Sequence, residues 1–171
     1  MEKDVFCKII DGEIPCHKLY EDDDVLAFLD ISQATKGHAL VVSKRHYDNF
    51  LTTPQEEMHK VMDVAQRIGQ VEIKLLGAKG VNILTNCYPA SGQTVMHFHV
   101  HVIPRYESSE GFILEMKNNA EGLNLPAIAK EIKKELKDET ITISKKTLNV
   151  MDEAVENIDN GILYGPINKE L

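Results

Sequence analysis

The segment HFHVHV, residues 97–102, alternates histidine with an apolar residue three times. Side chains of a β-strand point alternately to its two faces, so His97, His99 and His101 share one face and the apolar residues share the other. A helix would scatter both sets, because successive positions are rotated by about 100°. The pattern therefore predicts a strand with a hydrophobic face and a face of three imidazoles, and Pro104 predicts where that strand ends.

Three interpretations of the imidazole face are open at this point. Histidine has an ordinary pKa near neutrality, so its neutral ring can attack an electrophile, accept a proton or bind a metal. In the first, the face is simply solvated and the histidines act only as polar residues. In the second, it holds zinc with one open coordination position, as in metal-dependent hydrolases. Alternatively, one histidine acts as a nucleophile while its neighbours orient it or transfer protons.

Composition excludes several classes of protein. The chain has 171 residues, of which 43% are hydrophobic, which is enough for one full core. A net charge of −8 without a cluster of Lys or Arg argues against a nucleic-acid-binding surface. No segment approaches the roughly 20 apolar residues of a membrane span, and the acidic start does not resemble a signal peptide. The three cysteines are odd in number and widely spaced, which favours reduced thiols. We therefore expect a cytoplasmic protein with no membrane or nucleic-acid partner.

Alternating and apolar runs predict an antiparallel sheet of five strands. The strands are expected over residues 17–22, 25–30, 38–44, 81–86 and 97–105. The third strand is the most apolar, which indicates a central place in the sheet.

Two helices are predicted to accompany this sheet. A short one covers residues 5–10 and is ended by a turn at Gly12. A long one begins at a T-x-x-E capping box, with Thr53 as the cap and Pro54 at the first helical position, and runs to Gly77. One apolar-striped helix against an antiparallel sheet predicts an α+β domain.

The loop before the histidines contains polar and small residues. Gly92 allows the backbone to approach a ligand closely, while Gln93 and Thr94 offer side-chain donors without adding charge. These residues lead directly into the histidine strand. The loop therefore predicts a phosphate-sized cradle beside a nucleophile, which favours the third interpretation of the imidazole face.

The segment GQTVMHFHVHVIPR resembles the signature of the histidine triad (HIT) family, in which histidine and apolar residues alternate three times. The resemblance continues through FCKIIDGEIP, YEDDDVLAFLDISQATKGHALVVSKRH and NILTNCYPASGQ, and covers roughly residues 4–137. It implies a HIT domain over residues 1–137 that forms a homodimer through edge-to-edge pairing of the sheets. It also implies hydrolysis or transfer of nucleoside monophosphates from phosphoramidates, acyl-phosphates or dinucleoside polyphosphates.

The resemblance assigns the catalytic residues. His99 attacks the α-phosphorus and holds the nucleotidyl group until water releases it. The other ring nitrogen of His99 is then expected to donate to a carbonyl. His101 contacts a phosphate oxygen or transfers a proton to the leaving group, supported by His38, and His97 completes the triad. Gln93 stabilises the phosphoryl oxygens.

The resemblance also assigns residues that bind the nucleotide. Asp30 accepts hydrogen bonds from the ribose hydroxyls, and its alternative role is a loop cap. The remaining substrate-binding residues comprise two at the base pocket, one at the sugar or phosphate and two in the phosphate cradle beside Gln93: Phe28, Ile31, Asn86, Gly92 and Thr94.

A metal site is a further implication of the resemblance. Many similar bacterial members carry a C-x-x-C pair that joins two histidines in a structural zinc site, but here Asp4 stands at the first cysteine position. Asp4, Cys7, His46 and His97 still offer a tetrahedral set, since carboxylate is an acceptable zinc ligand. The alternative is that the histidines are only hydrogen-bonded and Cys7 packs as a small core residue. We expect zinc to be absent or weakly held, and catalysis to require no cofactor.

The C-terminal part of the chain departs from the family. An amphipathic helix is predicted over residues 125–139, and the resemblance ends there, leaving residues 138–171 as an extension. This extension contains seven acidic residues and three lysines. Its apolar residues recur at helical spacing at Leu148, Met151, Val155 and Ile158. We expect this stripe to pack on the protein's own domain or dimer mate, or to bind a separate protein partner.

The resemblance and these observations together predict a cytoplasmic nucleotide hydrolase or transferase, a phosphoramidase or related hydrolase, that acts at the α-phosphate of purine nucleotide derivatives such as nucleoside phosphoramidates and acyl-nucleotides through a covalent nucleotidyl-histidine. One alternative is an enzyme whose main substrates are diadenosine polyphosphates. Another is a nucleotide-binding or zinc-stabilised interaction protein without a catalytic role.

Overall fold

The computed structural model describes residues 3–111, 116–117 and 119–138. The chain divides into two compact units, Met1–Ile113 and Leu114–Leu171. The domain boundary expected after residue 137 stays a prediction, and the apolar stripe over residues 148–158 lies outside the described residues. Within the described part, no helix is long and apolar enough to cross a lipid bilayer.

The first unit contains an antiparallel sheet of five strands, as predicted. The strands are β1 Lys18–Glu21, β2 Val25–Leu29, β3 Ala39–Ser43, β4 Gly80–Leu84 and β5 His99–Arg105. Their spatial order is β1-β2-β3-β5-β4, so β3 is central, as its apolar sequence indicates. A short helix, α1 (Val5–Ile10), precedes the sheet, and a long helix, α2 (Gln55–Val71), follows β3. The α+β fold is therefore confirmed.

The main core lies between α2 and one face of the sheet. Phe98, Val100 and Val102 are fully buried there and pack in one cluster with Val61 and Ala65 of α2. The alternation predicted for residues 97–102 is therefore confirmed. The opposite face of the sheet carries the histidines and a smaller apolar cluster of Phe6, Leu26, Phe28, Leu40 and Val42.

The ends of the histidine strand differ from the prediction. The strand begins at His99 rather than residue 97, because Phe98 donates its N–H to the Tyr47 carbonyl instead of joining the ladder. At its other end the strand continues through Pro104, where proline predicted a stop, to Arg105, which is the last residue of the predicted range. The Pro104 carbonyl accepts from the Thr35 hydroxyl on the side that faces β3. Strand β3 begins at Ala39, opposite Val102, and so does not extend as far as Pro104. The missing N–H of Pro104 therefore costs no ladder bond, which is how an edge position tolerates proline.

The predicted capping box of the long helix is wrong. Helix α2 begins at Gln55, with Pro54 at the cap position and no side-chain cap. The Thr53 hydroxyl donates to the Asn49 carbonyl at 2.8 Å instead. At its other end α2 continues into a π-helical turn, Glu72–Leu76, and stops at Gly77, which adopts a left-handed φ of 73°. The predicted end at Gly77 is therefore confirmed, whereas the π turn was not foreseen.

The second unit contains one described helix, α3 (Leu125–Glu135), within the range predicted for a C-terminal amphipathic helix. The Asn124 side chain caps it by accepting from the Ala127 N–H at 3.1 Å. Leu125, Ile128 and Ile132 are exposed.

Candidate active site

The register of β3 and β5 brings three histidines together. Leu40 pairs with His101 and Val42 with His99, so both imidazoles lie on the face of the sheet opposite α2. His38 comes directly before β3, and its ring therefore reaches His101. The ring centroids of His38 and His101 are 5.2 Å apart, and those of His99 and His101 are 5.1 Å apart.

His99 is held in one tautomer by the backbone. Its Nδ1 lies 2.6 Å from the carbonyl oxygen of His97, which can only accept, so Nδ1 carries the proton and Nε2 carries the lone pair. This is the contact expected for a nucleophilic histidine. The Phe6 ring packs edge-on against the imidazole with centroids 5.1 Å apart. Burial lowers the pKa of His99, so the ring is neutral and its lone pair is available at pH 7.

His38 and His101 form a directed pair. The Ala34 N–H donates to Nδ1 of His38 at 3.3 Å, which places the proton of His38 on Nε2. That Nε2 lies 3.0 Å from Nδ1 of His101, which must accept, so the proton of His101 lies on its own Nε2. Burial, followed by the neighbouring His99 and His38, lowers the pKa of His101 to about 4, and burial also lowers that of His38. The two rings therefore form a directed chain of hydrogen bonds, which is an arrangement suited to proton transfer.

The three triad histidines do not converge on one point. His97 directs Nδ1 towards Asp4, His99 directs Nδ1 towards a carbonyl, and His101 directs Nδ1 towards His38. Among the described residues, no group of donor atoms close enough to share a metal ion contains two members of the triad. This geometry favours nucleophilic and proton-transfer roles over a catalytic zinc bound by the triad.

The side chain of Gln93 holds the loop before β5 in place through hydrogen bonds. Its Nε2 donates to the carbonyls of Asp48 and Val95 at 2.6 and 2.9 Å, and its Oε1 accepts from the Tyr88 N–H at 2.7 Å. Both amide hydrogens are therefore used within the chain. The expectation that Gln93 donates to phosphoryl oxygens does not fit this conformation, because the buried side chain holds the loop instead.

Neighbouring residues complete the loop. Gly92 has a left-handed φ of 91° and its carbonyl accepts from the Asn86 amide at 3.4 Å. A Cβ at Gly92 would lie 3.8 Å from that amide nitrogen, so space is left on this side and the positive φ is what requires glycine. The Thr94 side chain is exposed. The predicted cradle therefore consists of Gly92 and Thr94 at the surface, supported by Asn86 and Gln93.

The residues predicted to bind the nucleoside lie at different depths. Phe28 is buried against Phe6, with ring centroids 6.0 Å apart. Ile31 is 92% exposed, so it lies open to solvent and outside any enclosed base pocket. Asp30 does act as a loop cap, since its Oδ1 accepts from the Ser32 N–H at 2.8 Å. Its other oxygen, Oδ2, lies 3.8 Å from Nε2 of His38, so one carboxylate caps the loop and also faces the His38–His101 pair.

Sequence reasoning predicted a carbonyl partner for His99 but did not identify which backbone groups set the three tautomers. The Ala34 N–H and the carbonyls of His97 and Ser43 fix the ring protons of His38, His99 and His97 respectively. These are backbone atoms, so no residue type identifies them. The only available signal was the register of two adjacent strands, which depends on the fold.

The predicted metal ligands come together at the start of α1. Oδ2 of Asp4 lies 3.0 Å from Nδ1 of His46, 3.1 Å from Nδ1 of His97 and 3.0 Å from Sγ of Cys7. Sγ of Cys7 lies 3.7 Å from each of the two imidazole nitrogens. Such separations suit four ligands around a tetrahedral ion, given metal–ligand distances of about 2.0–2.3 Å.

The chemistry of the donor set also fits a cation. Nε2 of His97 donates to the Ser43 carbonyl at 2.7 Å, so its Nδ1 presents a lone pair to the Asp4 carboxylate. Two acceptors at this distance repel each other unless a proton or a metal ion lies between them. Burial and the adjacent Asp4 raise the pKa of Cys7 to about 11, so an incoming metal would have to displace the thiol proton. Bound there, zinc would join α1 to the start of the histidine strand and would supply structural stability.

Comparisons with known proteins agree with this architecture. The family model described as HIT domain matches residues 11–108. An uncharacterized HIT-like protein of Methanocaldococcus jannaschii is 43% identical over 129 residues, which cover 75% of this chain and 98% of that protein. Adenylylsulfatase HINT3 of Arabidopsis thaliana is 42% identical over 103 residues, covering 60% of this chain and 52% of that protein.

A solved structure shows the same fold. The crystal structure of a HIT family protein from Bacillus anthracis superposes with a TM-score of 0.71 at 43% identity, covering 76% of this chain and 94% of the other. With the matched family model, the relatives and the histidine geometry in agreement, this chain belongs to the HIT family.

Proposed function

We propose that this protein is a nucleotide hydrolase or transferase that acts at the α-phosphate of purine nucleotide derivatives through a covalent nucleotidyl-His99. The observation that carries the proposal is the tautomer order of the site. His99 presents a lone pair on Nε2, while the neighbouring His101 presents an N–H on its own Nε2. A nucleophile and a proton donor thus lie side by side, with ring centroids 5.1 Å apart.

In the first step the lone pair on Nε2 of His99 forms a bond to the α-phosphorus. The bond from phosphorus to the leaving group breaks, and the leaving group departs with its electron pair. The His99 ring becomes cationic, and the His97 carbonyl at 2.6 Å stabilises the proton that remains on Nδ1. This contact strengthens as charge develops, which is the condition for accelerating the step.

The leaving group takes the proton from Nε2 of His101. The N–H at Nε2 of His38, 3.0 Å from Nδ1 of His101, stabilises the charge left on the His101 ring. In the second step water attacks the phosphorus, the bond to His99 breaks and a nucleoside monophosphate is released. The water gives its proton to Nε2 of His101 in this step, which restores the starting protonation of the site.

Three leaving-group classes are compatible with this mechanism: the amine of a nucleoside phosphoramidate, the carboxylate of an acyl-nucleotide and the sulfate of an adenylyl sulfate. The last class is suggested by the name of the relative from Arabidopsis thaliana, an adenylylsulfatase. An amine requires a proton before it can leave, and the His38–His101 pair supplies one. For this reason we place phosphoramidates first.

Turnover of a substrate panel tests the proposal. Adenosine phosphoramidate, an acyl-adenylate, adenylyl sulfate and diadenosine tetraphosphate are compared under the same conditions by measuring AMP release. We expect the phosphoramidate to have the highest kcat/KM. A preference for diadenosine tetraphosphate would assign the protein to polyphosphate cleavage, and nucleotide binding without turnover of any member would leave a binding protein.

A homodimer is also part of the proposal. Strand β4 lies at one end of the strand order, with Ile83 45% exposed. An apolar edge strand is a surface on which a second copy can continue the sheet. The apolar side chains of β4 support pairing there better than the opposite edge, β1, which carries Lys18 and Glu21.

A further inference from the structure

A cavity lies on the face of the sheet opposite the histidines. It has a volume of about 540 Å³ and lies between the second half of α2, with its π turn, and the β1–β2 hairpin. Most of its wall is aliphatic: Leu19, Leu29, Val64, Ile68, Leu75 and Leu76. Cavities of roughly 300 to 1,000 Å³ with apolar walls and few polar groups are typical binding sites for small molecules.

Glu72 is the exceptional residue of this wall. It is only 4% exposed, and among the described residues neither of its carboxylate oxygens has a hydrogen-bond partner. The other buried acid of the long helix, Glu57, instead lies within 3.5 Å of the cations of Arg45 and Lys60. Buried polar groups are nearly always paired, and an unpaired one is costly. Burial accordingly raises the pKa of Glu72 to about 7.

The backbone at Glu72 is also unusual. Glu72 is the first residue of the π-helical turn that ends at Leu76, and both residues line the cavity. Isolated π turns are rare and occur frequently at functional sites. An unpaired acid and an irregular turn therefore coincide at one cavity, and neither is used by the histidine site.

We propose that this cavity binds a small apolar molecule that carries a primary amine, and that the Glu72 carboxylate, whose oxygens are enclosed behind the wall, turns to accept from the amine. A carboxylate can only accept, so the ligand must provide a donor, and an ammonium group adds opposite charge to the hydrogen bond. The aliphatic wall selects an apolar body. Two cations, Lys36 and Arg67, also line the cavity, but the Arg67 guanidinium lies over the Tyr20 ring, 5.3 Å from its centroid. None of the histidines of the candidate active site lines this cavity.

Three probes of similar size and different head groups test the proposal: 2-phenylethylamine, 2-phenylethanol and 3-phenylpropanoate. Each is titrated into the full-length protein at pH 8 while backbone amide shifts are recorded by NMR. We expect saturable binding of the amine with shifts at lining residues such as Val71 and Leu75, weaker binding of the alcohol and no binding of the acid. Tighter binding of the acid would mean that Lys36 and Arg67 determine the ligand, which would overturn the proposal.

Matched variants assign the head group to its residue. Glu72→Gln keeps size while removing charge, and Glu72→Leu removes the acceptor; each should weaken amine binding at least tenfold. Glu57→Gln changes a buried acid of the same helix outside this cavity and should leave amine binding unchanged. Thermal melting checks that each variant is folded. Equal amine affinity in Glu72→Gln and in the wild type would refute the site. The absence of saturable amine binding to the wild type would also refute it, including the case in which a second copy of the chain covers the cavity.

Discussion

The carbonyl oxygen of His97 lies 2.6 Å from Nδ1 of His99, and the ring of His97 faces Asp4, Cys7 and His46. One residue therefore orients the candidate nucleophile through its backbone and completes the candidate metal centre through its side chain. Apart from His97, no residue belongs to both sites. Their chemistry can consequently be tested separately.

His99→Asn removes the nucleophilic ring and keeps polarity and approximate size. We expect turnover to fall by several orders of magnitude while nucleotide binding largely survives, since different residues provide binding. Rapid quench with labelled substrate followed by peptide mapping should place the adduct on residues 97–105 of the wild-type protein. His59→Asn, which changes an exposed histidine of α2, is the matched control and should retain full activity. An adduct on another histidine would exclude this mechanism.

His101→Ala should reduce turnover by about 10² to 10⁴-fold for substrates with poor leaving groups, because it removes the proton donor. An amine leaves only after protonation, whereas sulfate leaves as a stable anion. The loss should therefore be much larger for adenosine phosphoramidate than for adenylyl sulfate. Steady-state kcat/KM for the two substrates measures the difference. An equal loss for both would show that His101 binds phosphate and does not protonate the leaving group.

Asp4→Cys should increase zinc affinity, because thiolate replaces carboxylate at a site whose other donors already suit zinc. Wild-type protein should lose zinc on dialysis against a chelator and keep its activity, whereas Asp4→Cys should retain zinc. Metal analysis after dialysis, with parallel assays, measures both. Stoichiometric zinc that survives dialysis in the wild type, with activity lost on its removal, would contradict the prediction.

The same substitution should have a local structural cost. Oδ1 of Asp4 caps α1 by accepting from the N–H groups of Phe6 and Cys7 at 2.7 and 2.9 Å. A helix cap of this type contributes about 1 kcal/mol. Metal-free Asp4→Cys should therefore melt at a lower temperature than the wild type, and zinc should restore the loss.

Glu72→Gln should change how stability depends on pH. The folded pKa of Glu72, about 7, lies above the unfolded value near 4.5, so the native state retains a proton that the unfolded state releases. The free energy of unfolding of the wild type should therefore fall as pH rises from about 4.5 to 7. The variant lacks this loss and should be more stable at pH 8, by about 1 to 3 kcal/mol. Urea denaturation at pH 4.5 and pH 8 measures the effect, with Glu57→Gln as control; the same pH dependence in Glu72→Gln would contradict it.

Ile83→Lys should weaken the proposed homodimer by placing charge on the apolar edge strand β4. Light scattering coupled to size exclusion should detect a shift towards monomer. Leu19→Lys, on the opposite edge strand β1, is a matched change at a similarly exposed position, 48% against 45%, and should leave the dimer intact. The reverse pattern would place the interface at the β1 edge.

The sheet and its histidine face could be predicted because a buried strand enforces a strict alternation. Phe98, Val100 and Val102 had to face the core, so the imidazoles between them had to face away. The ends of the helices and strands could be predicted less well. Thr53 matched a capping motif, but its hydroxyl found a better partner in the Asn49 carbonyl, since the loop brings that acceptor within 2.8 Å.

The residues of the candidate site could be predicted from the sequence, whereas the roles of some of them could not. Asp4, Cys7, His46 and His97 were identified together and do cluster. Gln93 was identified too, but as a donor to phosphate, because an amide in a glycine-containing loop gives no sign of which backbone carbonyls surround it. Glu72 was overlooked because its sequence context is an ordinary amphipathic helix. Only the fold shows that its helical turn leaves the carboxylate unpaired.

The side chain of Gln33 holds the loop that carries Asp30 and His38. Its Oε1 accepts from the Gly37 N–H, and its Nε2 donates to the carbonyls of Asp30 and His38. Gln33 also lines the cavity that contains Glu72. An occupant that displaced this amide would disturb the loop carrying Asp30 and His38. Thermodynamic reciprocity then requires the bound nucleotide to alter the affinity of the distant cavity by the same factor, so that each site would act as a sensor of the other.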